Sequence, residues 1–132
     1  MIYLLDTSAL LAHYRGESGA QRVQELFDGH ENSILIASIS ITEFSRRMVD
    51  LGAVEHEIDA AMMAYGRLFA EVVTIDHHIA KAAFLLGQRA SSRLPLADSL
   101  IAASAASRKA TLVHRDPHFQ SIAKNLLLQE KL

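Results

Sequence analysis

The order of the apolar runs constrains this chain more than any other feature. Ile2–Leu5, Ile34–Ala37, Val72–Ile75 and Thr111–His114 are short, nearly continuous apolar segments, and Leu126–Leu128 offers a fifth, short edge strand. Runs of this length and make-up suit strands buried on both faces. Between them the spacing turns helical: Phe44, Met48 and Leu51 fall at i, i+4 and i+7 within a stretch from about Ser40 to Leu51, and Ile58, Met62 and Tyr65 repeat the interval. No pair of runs is joined by a two-residue hairpin turn. Strands separated by helices pair in parallel, so the expected architecture is an α/β domain with a four- to five-stranded parallel sheet and helices wound on both faces.

The punctuation supports this division. Asp6-Thr7-Ser8 stops the first strand and starts a helix, and Gly16 to Gly19 breaks the chain before a helix over Ala20 to Phe27. Gly52 is placed to end the Ser40–Leu51 helix. Asp76 is a candidate N-cap for a helix reaching about Arg89. Ser91 to Leu94 reads as a loop, and Pro95 suits the first position of a helix that runs to about Ser107. That last helix is rich in Ala and Ser, which predicts close packing against a neighbour. No repeat or linker divides the 132 residues, so a single domain over 1–132 is expected.

Composition excludes several classes. With no cysteine there is no disulfide framework, zinc-thiolate site or thiol nucleophile, and a cytoplasmic location is expected. No apolar run approaches the ~20 residues of a membrane span, so no membrane association is expected. Net charge is −2, which announces no nucleic-acid partner. If four of the fifteen acids are committed to a cation, however, eleven remain against thirteen bases, and the rest of the molecule is mildly basic.

Four acids stand where such a sheet would gather them. Asp6 ends the first strand, Glu43 and Asp98 lie in first turns of helices, and Asp116 follows the fourth strand. In an open parallel sheet the carboxyl ends of the strands share one edge, where ligands bind. Carboxylates crowded there repel unless a cation joins them, and an all-oxygen donor set suits Mg²⁺ or Mn²⁺. The chemistry implied is in-line hydrolysis of a phosphodiester. Each acid also has an ordinary explanation. Asp6 can cap a helix, Ser40-Ile41-Thr42-Glu43 matches a capping box, Glu43 can pair with Arg47, Asp98 suits a helix N-terminus, and Asp116-Pro117 is a common turn. Thr7 and Ser8 can hold phosphate or water, or simply cap, and Arg115 is a candidate phosphate contact. His77, His78 and His118 read as ordinary surface or helix-end histidines, and His114 as a strand-end histidine bonded to backbone.

At these residues the chain resembles the PIN-domain family, and within it the VapC-type toxins of toxin–antitoxin pairs. The resemblance spans essentially the whole chain. Its segments are Leu4-Leu5-Asp6-Thr7-Ser8-Ala9-Leu10, Ile39-Ser40-Ile41-Thr42-Glu43-Phe44, Leu96-Ala97-Asp98-Ser99-Leu100-Ile101-Ala102-Ala103 and Thr111-Leu112-Val113-His114-Arg115-Asp116-Pro117-His118-Phe119. It implies a three-layer α/β/α sandwich and a metal site on Asp6, Glu43, Asp98 and Asp116. It further implies Mg²⁺- or Mn²⁺-dependent endoribonuclease activity that inhibits translation, a small cognate antitoxin, operator DNA bound only through the antitoxin complex, and a homodimer. His114 departs from the Thr or other small polar residue the family often carries there. The alternative is a catalytically weak PIN-fold binding module acting through a partner protein and DNA.

Overall fold

The computed structural model describes residues 1–132. Strand β1 (Ile2–Leu5) leads through Asp6 into α1 (Thr7–Arg15) and α2 (Ala20–Asp28). Next come β2 (Ser33–Ala37), α3 (Ser38–Asp50), α4 (Glu55–Gly66), β3 (Glu71–Val73), α5 (His77–Arg89), α6 (Leu96–Ser107) and β4 (Thr111–His114). A 3₁₀ turn over Pro117–Ser121 precedes β5 (Gln129–Lys131). The five strands pair in parallel in the order β3-β2-β1-β4-β5. Helices cover both faces of the sheet, as expected. No helix is long and apolar enough to cross a membrane.

Alternation along the strands feeds two cores. Leu4, Leu35, Val73 and Leu112 face one way, onto α5 and α6 residues such as Ile79, Ala83, Ile101 and Ala102. Leu5, Ile34, Ile36 and Val113 face the other, onto Leu10, Val23, Phe44, Met48 and Tyr65 from α1 to α4. Burial on both faces explains why the strands read as unbroken apolar runs. The small residues of α6 do pack closely: Ile101 to Ala105 are all buried, and Ser104 Oγ is satisfied by the Leu100 carbonyl at 2.8 Å. Gly16 ends α1 at φ 64°, a left-handed conformation that glycine takes without a Cβ clash.

The structure moves four boundaries. β3 begins at Glu71 and stops at Val73, because Val73 pairs with Ala37, the last residue of β2; beyond it Thr74 and Ile75 have no strand to follow. Leu126–Leu128 is not itself the fifth strand: the Leu126 and Leu127 amides turn back onto the Ala123 carbonyl, and Leu127 plugs the core beneath the sheet edge. Pairing with β4 begins at Gln129, opposite Leu112. Helix α3 starts at Ser38, so Ser40 lies inside it and cannot cap it. Pro95 is the residue before α6 rather than its first residue.

Candidate metal centre

Strand β1 turns one way to β2 and the other way to β4, so the sheet reverses direction at the β1–β4 pair. That reversal opens a crevice at the carboxyl edge. The Asp6 amide donates to the Val113 carbonyl at 2.9 Å, fixing the ends of the two strands side by side. Asp6 is buried and caps α1, accepting the Ser8 amide at 3.0 Å and the Ser8 hydroxyl on the same oxygen. Ser8 Oγ in turn accepts the Arg115 amide at 3.0 Å. The two β1 and β4 exits are therefore stitched through one serine hydroxyl.

Glu43 reaches the crevice from α3. Neither ordinary explanation for it holds: no bond returns to the Ser40 amide, and no ion pair forms with Arg47. Thr7 Oγ1 instead donates to Glu43 Oε1 at 2.6 Å and lies 3.0 Å from the buried Ser40 Oγ. Asp98 sits in the first turn of α6, buried, with its Oδ2 3.1 Å from His118 Nδ1. Asp116 caps the 3₁₀ turn through the His118 amide at 2.9 Å, and the same Oδ1 lies 2.9 Å from His118 Nδ1. Arg115 directs its guanidinium to Glu17, 3.7 Å away. The Thr7 and Ser8 hydroxyls are thus engaged with protein groups.

The electrostatics are those of crowded anions. Burial, foremost, pushes the Asp6 carboxyl up to about 6, and the charges of Glu43 and Asp116 add to it against the Ser8 bonds. Burial likewise raises Asp98, to about 7, with Asp116 and then Asp6 contributing and His118 opposing. The charges of Glu43 and Asp116 reach both Asp6 and Asp98, so the four acids share one field. His118 is raised in turn, chiefly by the charge of Asp116. The donor set fits a divalent cation: carboxylates held at unfavourable proximity, two of them buried, on rigid element ends. Ligand atoms of Asp98, Asp116 and His118 all lie within 4.8 Å of one another, close enough to share one ion.

His118 is the residue that sequence reasoning missed. It is an exposed histidine, as expected, but its ring also stands over the acids. The available signal was its position two residues after Asp116, where a short turn brings a side chain back over its cap. His77 and His78 are exposed, as expected. His114 is buried, and its Nε2 lies 3.0 Å from the side-chain Oε1 of Gln129. Gln129 spends its amide hydrogens on the Phe119 and Ile122 carbonyls, so His114 must donate from Nε2. Its Nδ1 has no partner, and burial lowers its pKa.

Residues 3–125 match the PIN domain family, and the chain belongs to that family. No curated protein sequence matches it. Among solved structures it is similar in fold to VapBC2 from Rickettsia felis, bound to a DNA fragment from its promoter, at 23% identity and TM-score 0.77, over 99% of this chain and 98% of that one. FitAcB from Neisseria gonorrhoeae gives 21% identity and TM-score 0.71, over 98% and 97%. VapC20 from Mycobacterium tuberculosis, a Sarcin-Ricin loop cleaving toxin, gives 13% identity and TM-score 0.70, over 92% and 94%.

Proposed function

We propose that this protein is a metal-dependent endoribonuclease and the toxin of a type II toxin–antitoxin pair, with Asp6, Glu43, Asp98 and Asp116 as its catalytic and metal-holding residues. The observation that carries the reading is the closeness of Asp98 and Asp116 beside the β1–β4 reversal, with Asp6 and Asp98 raised by burial and by the charges of the other acids, Glu43 included. Such a centre holds Mg²⁺ or Mn²⁺, and a bound ion supplies Lewis-acid polarisation of a phosphoryl oxygen. Asp98, Asp116 and Asp6 would hold the ion. Glu43, kept in place by Thr7, faces the same space and is suited to accept a proton from the attacking water. Ser8 keeps Asp6 aimed, and Arg115 lies at the rim for a substrate phosphate. Hydrolysis of translational RNA is the expected outcome in the cell.

The partners follow the same reading: a small antitoxin that covers the crevice, operator DNA engaged only through that complex, and a homodimer. Structural relatives crystallised as VapBC or FitAB assemblies, several of them on DNA, support this. Purified protein incubated with Mg²⁺ or Mn²⁺ and total cellular RNA should produce new mapped 5′ ends. Asp98→Asn should lower cleavage by roughly two orders of magnitude or more, as loss of a catalytic charge does. Equal cutting by wild type and variant, or no cutting of any RNA by either, sinks the nuclease reading and leaves a binding module.

A further inference from the structure

His118 is exposed at the edge of the centre, but its backbone is fixed on both sides. Pro117 restricts the backbone before it, and Phe119 after it is fully buried against the His114 ring, with centroids 4.9 Å apart. The His118 carbonyl accepts from Ser121 Oγ at 2.8 Å, and its amide is bound to Asp116. The ring therefore hangs from a fixed turn, with Nδ1 2.9 Å from Asp116 Oδ1 and 3.1 Å from Asp98 Oδ2. A hydrogen bond has that length. So does the edge between neighbouring ligands of an octahedron with bonds of ~2.1 Å, which is about 3 Å.

We infer that His118 is a nitrogen ligand of the metal centre, making it a mixed nitrogen–oxygen site biased toward Mn²⁺ over Mg²⁺. This rests on the proposed metal centre and adds a donor outside its four acids. On ligation the ion takes the place of the Nδ1 proton shared with the carboxylates, and that proton leaves to solvent. Imidazole nitrogen is a poorer match to Mg²⁺, which prefers oxygen, than to Mn²⁺. The bias comes from one residue anchored by Phe119.

The test uses full-length protein and Mn²⁺ without RNA. Electron spin-echo envelope modulation of bound Mn²⁺ should show ¹⁴N coupling in the wild type that disappears in His118→Gln. Mn²⁺ affinity should fall at least about tenfold in that variant, and the preference for Mn²⁺ over Mg²⁺ in competition should shrink. His118→Asp, which offers an oxygen in the same place, should recover part of the Mn²⁺ affinity without the nitrogen signal. Bound Mn²⁺ with no ¹⁴N coupling overturns the inference, and so does tighter binding by His118→Gln, which would make His118 a counter-ion that competes with the metal. If Mn²⁺ binds the wild type and is lost in Asp98→Asn while no nitrogen is seen, His118 alone is excluded. If no Mn²⁺ binds the wild type at all, the metal centre itself fails.

Discussion

Asp6 shows how one residue serves the fold and the proposed chemistry at once. As the α1 cap it has an ordinary structural role, which its sequence context announced; its burial beside other acids is what sets it apart. The folded carboxyl keeps its proton to about 6, whereas the unfolded one releases it near 3.8. Between those values the folded chain binds more protons than the unfolded chain, so the free energy of unfolding falls as pH rises. Asp98 acts in the same direction up to about 7, and the raised His118 does too, its contribution fading as pH climbs through its folded value. In chelator, wild type and Asp6→Asn should melt alike near pH 4, and by pH 7 the variant should be the more stable, on the order of 3 kcal/mol. Thermal melts at stepped pH read this directly; parallel curves would show that Asp6 is not held in a hostile field. Glu43 was the acid with the strongest ordinary explanations in sequence; its capping box dissolved because α3 begins three residues earlier than that box implies, and its carboxylate takes the Thr7 hydroxyl in place of a pair with Arg47. His118 was legible only in part: its place two residues after Asp116 was a signal, but only the 3₁₀ turn brings its ring over Asp98 as well.

At the scale of elements, what could be read was what burial makes periodic. β1, β2 and β4 were legible because both faces are covered, and α5 because Asp76 caps it through the Ile79 amide at 2.9 Å. The ends of β3 and β5 were not, because a strand's length is set by its partner's register and not by its own apolar content. Leu126–Leu128 is apolar in order to plug the core, and the strand follows it. The smallness of α6 was legible as close packing and has an energetic consequence. Ala102 is fully buried between the sheet and its neighbours, so Ala102→Leu should destabilise the protein by about 1–3 kcal/mol through overpacking, as read by urea unfolding. Because Asp98 lies one turn earlier on the same helix, this variant should also weaken Mn²⁺ binding although it touches no ligand.

For the whole molecule, the proposed cation is a stabiliser as well as a reagent. An ion that binds the folded chain alone, at about a hundred times its dissociation constant, adds about 2.7 kcal/mol. For a domain of this size that should raise Tm by roughly 5–10 °C. Scanning calorimetry with and without Mn²⁺ should show this rise in the wild type and not in Asp98→Asn. A metal-independent Tm would argue against a high-affinity centre.

The stitching of β1 to β4 also fixes when the proposed centre can form. The middle strand of the sheet, β1, precedes its β4 neighbour and Asp116 by more than a hundred residues. A growing chain can bring Asp6 and Glu43 together through Thr7 well before that. It cannot close the crevice, engage Ser8 with the Arg115 amide, or seat His118 until β4 and the turn after it have been synthesised. Sequence separation of this kind delays assembly. The proposed centre is thus assembled late: a chain interrupted before Asp98 carries at most two of the four acids, one interrupted between Asp98 and Asp116 carries three, and neither has a finished centre.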